Sequence, residues 1–480
     1  HYWGDLHGQT GETVGTNTAE HYFDFARNKA FLDVCAHQAN DFQINQTFWH
    51  KLNDLTVRVN EPGRFTVFPG YEWSGNTAVG GDHNVFYATE GRPIYRCSHA
   101  LLEDRSDMAD DANTLTDLFA KLKDEDATVY AHVGGRYCNI HYDHDPRIET
   151  AVEMHSAWGT FEWVLTDGFP MRRRVGVVCN SDGHKGRPGA SYPGASRFGA
   201  YGGLTCFLTE RNDRAAIMEA QRRRHHYGTT GCRMHLAVSA RFETDAALYR
   251  RNPLAWPEET PEIVRSAMMG DIVRVSDETV KTEIRVEAHA GILEVELRDG
   301  AGVLERLHPY GADDLGDRIR VTWSGAEYRG RGRDVRWTGR AQFDEARIRD
   351  LTTINTWNPE TVLDQRGSRS VVWNGVTTGN FMGFDAHLTD SRNGRLHITT
   401  NQGEIDVALA EIGLDPVVFD AGGLGKRLTI QRLPDAPLVR RVTATRSVTV
   451  HPSGDTPVWV RVTTEDGFQA WSSPIYLYRD

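Results

Sequence analysis

Residues 175–189 read VGVVCNSDGHKGRPG, and this stretch decides how the first half of the chain is read. The apolar run Val175–Cys179 suits a strand buried on both faces. It breaks into a glycine-bearing loop carrying Asp182 and His184, residue types that commonly serve as metal ligands or proton carriers. Working outward, the same arrangement recurs. GDLHGQTGE (residues 4–12) ends a short strand with His7 and Gln9, two apart and therefore on one face. FPGYEWSGNTAVGGDHNVFY (residues 68–87) sets Glu72 just past the apolar strand Phe65–Phe68, with His83 on the turn that follows. ATVYAHVGG (residues 127–135) ends a strand at His132, and its glycines leave space above the imidazole. AVEMHSAWG (residues 151–159) adds His155. Five strand-like runs thus each end in His, Asp or Glu.

Helical patterns lie between these runs, at Ala19–Ala30, at the capped amphipathic segment Asn113–Lys123 and at the arginine-rich Asp213–His226. Strands alternating with helices predict an α/β fold with a mostly parallel sheet or barrel, whose strand ends converge on one face. Fifteen of the twenty histidines fall between His1 and His235, so the chemistry is expected there. From Asp271 the pattern changes. KTEIRVEAHAGILEVELRDG (residues 281–300) alternates apolar and polar positions, and DRIRVTWSG, GRLHITTNQGEIDVALA and RRVTATRSVTV continue it, which predicts an antiparallel β-sandwich. The proline-bearing stretch 251–271 reads as a connection. The expected organisation is a catalytic unit over residues 1–245, a connection over 246–270 and an all-β sandwich over 271–480.

Composition narrows the function classes. With 39% hydrophobic and 25% charged residues the 480-residue chain is ordinary for a globular protein, so extensive disorder is not expected. No apolar run is long enough to span a bilayer, so no membrane partner is expected. The net charge of −12 argues against nonspecific wrapping of nucleic acid. RRRHHY (residues 222–227) is a local basic cluster, read as a solvated or carboxylate-pairing face. Six cysteines without CxxC spacing do not form a disulfide scaffold and favour a reducing compartment. The first ten residues have neither a basic start nor an apolar core, so a cytoplasmic location is expected.

The order HGQT, PGYEW…DHN, AHVGG and NSDGH resembles the polymerase-and-histidinol-phosphatase (PHP) superfamily of metal-dependent phosphoesterases. AIMEAQRRRHHYGTTG (residues 216–231) and WVRVTTEDGFQAWSSPIYL (residues 459–477) add a closer similarity to a branch carrying the DUF3604 domain. The resemblance implies a distorted (β/α)7 TIM-like barrel followed by the sandwich. It also implies a divalent transition metal (zinc, manganese or iron) held by His7, Gln9, Glu72, His83, His132, Asp182 and His184. Two departures thin that set. Gln9 stands where the family has a second histidine, and HQAND (residues 37–41) puts Ala39 and Asn40 where an aspartate and histidine belong. One or two ions are therefore expected rather than three.

The expected activity is hydrolysis by a metal-activated water at the mouth of the barrel, foremost of a phosphoester. Asp182 or His184 would accept the water proton and His155 would protonate the leaving group. Arg136, Lys185 and Arg187, with Asn40, would bind a small, anionic substrate, and Tyr71, Trp73 and Trp158 would line its pocket. Two alternatives stand beside this reading. One is a lyase, or a hydrolase of C–O or C–N bonds, on the same metal. The other is a degenerate barrel serving as a glycan- or protein-binding module through exposed Trp357, Trp373 and Trp471. A homo-oligomer is compatible with either.

Overall fold

The computed structural model describes residues 1–190, 200–356 and 362–480. Among them, eleven strands precede residue 230: β1 (Tyr2–Asp5), β2 (Val34–Ala36), β3 (Thr66–Phe68), β4 (Gly70–Ser74), β5 (Asp82–Tyr87), β6 (Ala127–Ala131), β7 (Glu149–Ser156), β8 (Gly159–Thr160), β9 (Gly176–Cys179), β10 (Leu204–Phe207) and β11 (His226–Thr229). The described residues also form five α-helices: α1 (Ala19–Asn28), α2 (Gln46–Val59), α3 (Leu115–Leu122), α4 (Glu162–Thr166) and α5 (Arg214–Arg222). Their starts follow from local chemistry. Thr114 and Asp117 form a reciprocal capping box on α3, and the Asp213 side chain accepts from the Ala216 N–H on α5.

These elements do not build the expected (β/α)7 barrel. The strands fall into two sheets of mixed direction. In one, β1, β2 and β3 run parallel while β1–β10 and β10–β11 pair antiparallel; in the other, β6, β7 and β9 are parallel and β4–β5 is antiparallel. The physical reason is short connections. Only Pro69 separates β3 from β4, and the 17 residues from His132 to Ile148 hold no helix, so no βαβ crossover forms there. The sheets enclose a shared core of Leu6, Val34, Phe68, Phe86, Tyr130 and Val178. They meet at strand ends through parallel bridges, Gly8 to Gly183 and Asn40 to Glu72. The loops bearing His7, His132 and Asp182 therefore still gather at one end.

The rest of the chain is β-rich. Strand Gln469–Ser472 pairs with β11, and strand Asp455–Thr464 pairs with it in turn. Hydrogen bonding thus continues from the N-terminal strands into the C-terminal ones. Within the expected connection, Glu262–Met268 is itself a strand, paired with His235–Tyr249. Between Gly302–Leu307 and Arg441–Thr449 two five-stranded antiparallel sheets pack face to face around Val321, Trp337 and Phe384. There Trp323 and Trp373 stack with ring centres 4.9 Å apart. Trp373 is thus a core residue, and Trp471, wholly buried, donates its Nε1–H to Glu162. Neither offers the exposed aromatic surface a binding module would need; Trp357 lies outside the described residues. All six cysteines are unpaired. No helix among the described residues is long and apolar enough to cross a membrane.

Candidate metal centre

The gathered loops bury an acidic, histidine-bearing cluster. His7, on the loop after β1, places its Nδ1 3.1 Å from Glu153 Oε1. Its Nε2 then points inward, 3.3 Å from Asp182 Oδ1 and 3.8 Å from Glu72 Oε2. Glu72, in β4, turns its other oxygen to His132 Nε2 at 3.5 Å. The two imidazoles pack edge to face, 4.4 Å apart. Asp82, first residue of β5, completes the cluster and is gripped by Arg136, whose Nε donates to Oδ1 at 2.6 Å and whose backbone N–H donates to Oδ2 at 3.1 Å.

Several buried side-chain atoms of these residues lack hydrogen bonds. They are His7 Nε2, both ring nitrogens of His132 and Asp182 Oδ1, all buried. Buried polar atoms in folded proteins are rarely left unsatisfied, so a set of them sharing one space needs an explanation. A divalent ion supplies one. Ligand atoms about 2.1 Å from a tetrahedral zinc lie about 3.4 Å from each other. The separations of 3.3 Å and 3.5 Å match that figure. His7, His132 and Glu153 form one set of atoms able to converge on an ion, and Glu72, Asp82 and His132 form another. The electrostatics agree. Burial opposes charge on His7, but Asp182 and Glu153 outweigh it and hold its pKa well above the ordinary imidazole value. Burial and the neighbouring Glu72 charge push Asp82 up to about 6, despite Arg136. The site is short of positive charge, and a cation relieves that.

The surroundings fix this geometry. Glu153 is held by Asn180, whose Nδ2 donates to it at 2.8 Å, so His7 is oriented through a carboxylate in the manner usual for metal-binding histidines. Gln9 donates to Glu72 Oε2 at 2.8 Å and its own Oε1 accepts from Thr13, so Gln9 positions Glu72. Buried Asp5, pushed up to about 6 by burial, accepts N–H groups from Ser181 and Gly189 and thereby pins the Asp182 loop. Asp182 itself adopts φ +44°, a conformation strained for most residues but open to aspartate.

Several expected site residues stand elsewhere. His83 faces away, its Nδ1 on Gly81 O at 2.9 Å and its Nε2 3.4 Å from Glu149. Strand alternation is the reason: Glu72 lies opposite Asn84 in the β4–β5 ladder, which puts Asp82 on the Glu72 face and His83, opposite Trp73, on the other. His155 has both nitrogens occupied, by Thr160 Oγ1 and Tyr201 O, and burial lowers its pKa to about 4, so it is not placed as a proton donor to substrate. Tyr71 and Trp73 are wholly buried in the hydrophobic core rather than lining a pocket. Asn40 spends its amide on Ser74 Oγ at 2.8 Å. Lys185 and Arg187 are exposed on the outer loop, outside the buried cluster. His184 is part-exposed, its Nδ1 on the Asp182 carbonyl at 3.0 Å and its ring edge against Trp158. Sequence reasoning missed Asp82 and Glu153. Asp82 adjoins His83, and only the strand register distinguishes them. Glu153 lies two residues before His155, and a register shift between the two in the β7–β9 pairing aims them differently.

Three comparisons with known proteins bear on this chain. A family model described as "Protein of unknown function (DUF3604)" matches residues 2–133 and 177–287. An uncharacterized protein of Chlamydia pneumoniae is 23% identical over 264 residues, 49% of this chain and 40% of that protein. The chain thus matches about two fifths of that relative's length. A crystal structure named as a candidate metal-dependent phosphoesterase from Bifidobacterium adolescentis aligns with a TM-score of 0.26 at 15% identity, covering 38% of this chain and 88% of that one.

Proposed function

The chain belongs to the DUF3604 family, and from the buried cluster at its strand ends we propose that it is a metal-dependent hydrolase acting on phosphoesters. One observation carries the reading: unpartnered, buried ligand atoms of His7, His132 and Asp182 share one space with Glu72. His7 Nε2, Glu72, His132 and Asp182 would hold the ion, with Asp82 beside them. A divalent cation there supplies Lewis acidity, easing deprotonation of water and offsetting charge that develops on the phosphoryl oxygens.

The chain's own residues perform the remaining tasks. Glu153 keeps His7 in the tautomer whose Nε2 lone pair faces the cluster. Arg136, bonded to Asp82 and 3.6 Å from Glu72, fixes both carboxylates, and its part-exposed guanidinium can also face an anionic substrate. His184 donates Nδ1–H to the Asp182 carbonyl, which leaves Nε2 free to accept the proton of the attacking water. Gly134 keeps the space above the site open. A Cβ there would come within 3.2 Å of His132 and 3.3 Å of both Asp82 and Asp182.

The test is metal content by elemental mass spectrometry together with turnover of a panel of phosphomonoesters and diesters. Wild type is expected to hold one or two transition-metal ions per chain, and Glu72→Ala to lose them with a roughly hundredfold or greater drop in turnover. Full activity in Glu72→Ala, or no metal uptake by wild type after incubation with zinc, manganese and iron, would overturn the reading. Metal retention without turnover of any phosphoester would overturn the phosphoester and leave the metal site standing.

A further inference from the structure

The β-rich half reaches back to the metal centre through one loop. Between strands Arg318–Ala326 and Val335–Phe343, residues 327–334 read EYRGRGRD, with arginines at alternate positions. Two of the three are committed. Arg329 pairs with Asp167, and its guanidinium lies 5.1 Å from the centre of the Trp163 ring. Arg333 is buried, donates to the carbonyl of Gly134 and packs over Phe161 at 5.2 Å. Both anchors therefore fasten the loop to the part of the chain that carries the metal centre, the second of them to the residue roofing the cluster.

Arg331, between the anchors, differs from both. It is exposed, and its guanidinium has no hydrogen-bond or ion-pair partner among the described residues. The loop holds its backbone, because the Tyr328 hydroxyl donates to the Arg331 carbonyl at 2.8 Å. Its Nη2 lies 3.6 Å from where a Cβ of Gly135 would be, beside the open space that Gly134 leaves over His132, Asp82 and Asp182. Gly134 and Gly135 present no side chain, so nothing of their own stands between that space and the guanidinium. In a chain with 66 acidic against 54 basic residues, an arginine held at this mouth without a carboxylate partner is available to an incoming anion.

We propose that Arg331 is the oxyanion-recognition residue of the site, so that the substrate carries a phosphate-like anion and the inserted β-sheets determine specificity. A guanidinium offers paired N–H donors that match two oxygens of a tetrahedral anion, which a lysine at the same place would not. The inference rests on the metal-centre reading for the other half of the substrate site.

The experiment is calorimetric titration of inorganic phosphate into the full chain reconstituted with manganese, with metal content measured on every sample. Wild type binds phosphate. Arg331→Ala weakens binding roughly tenfold or more at unchanged metal content, and Arg331→Lys recovers part of the loss. Arg427→Ala, removing an exposed arginine on strand Leu424–Leu433, leaves affinity unchanged. Equal affinity in Arg331→Ala, no phosphate binding by wild type, or an equal loss in Arg427→Ala would each overturn the proposal. Glu72→Ala separates the two readings. If it retains the metal, the metal-centre assignment fails, while the role of Arg331 is still decided by the phosphate affinities of wild type and Arg331→Ala.

Discussion

At the scale of single residues, the neighbours Asp82 and His83 show how far residue type alone can mislead. Histidine is the stronger expectation for a metal ligand, yet the aspartate lies on the cluster face and the histidine supports a second, buried network. His83 and His144 both contact Glu149, and burial, which by itself would raise that carboxyl, is outweighed by these histidines so that its pKa lies well below the usual range. The two substitutions should separate cleanly. Asp82→Ala is expected to lower metal retention, because it removes a carboxylate at the cluster and frees Arg136 to compete for Glu72. His83→Ala should keep the metal and instead lower the melting temperature by several degrees, since it strips a partner from buried Glu149. Elemental analysis and thermal unfolding of both variants check this; metal loss confined to His83→Ala would return His83 to the ligand set.

Secondary-structure elements translate such choices into position. The glycine at position 176, opening β9, leaves room for the ring of His226 on β11, since a Cβ there would meet His226 Cε1 at 2.5 Å. That ring gives Nδ1–H to the Val177 carbonyl at 2.8 Å and leaves Nε2 buried without a partner. Burial accordingly lowers its pKa from 6.5 to about 3. The sign follows: between these values the unfolded chain binds the proton and the folded chain does not. Stability from this group is complete above pH 6.5 and is lost as pH falls toward 3, amounting to about 2 kcal/mol by pH 5. Melting temperature is therefore expected to fall between about pH 7 and 5, and His226→Gln to flatten that dependence. An unchanged slope in the variant would show that other groups set the acid limit. The helix Leu115–Leu122 was legible within the capped segment Asn113–Lys123 because a cap bonds only to its own first turn. The pairing directions were not, because they depend on strands distant in sequence.

For the whole molecule, the question is whether the half carrying the His7–Glu72–His132 cluster stands alone. Its strand β11 is covered by Gln469–Ser472 through the pairs Tyr227 to Ser472, Gly228 to Trp471 and Thr229 to Ala470. The β9 backbone is tied to the same region: the Val177 N–H donates to Ser473 Oγ, and the Val175 N–H donates to the Tyr476 hydroxyl just before the strand begins. Trp459 and Trp471 fill one core with Ala131, Val152 and Cys179. A chain ending at Tyr249 would expose that core and an unpaired strand edge, so it is expected to aggregate or to give a collapsed, poorly dispersed NMR spectrum. A cooperative unfolding transition in that fragment would refute the dependence. The sequence by itself showed where His, Asp and Glu stand beside apolar runs, and the structure brings His7, Glu72, His132 and Asp182 of that set together, with Glu72 inside β4 rather than past a strand end. The sequence also determined that the second half is β-rich, because alternation is a local property. Only the tertiary structure decided that the first half is two mixed sheets rather than a closed barrel. It alone decided that Asp82 rather than His83 faces Glu72, that Glu153 rather than His155 contacts His7, and that Arg331 comes from a loop far beyond His132 in the chain. Those outcomes depend on strand register, on a bulge and on which loop packs over which strand end, and each is settled by contacts between segments far apart in the chain.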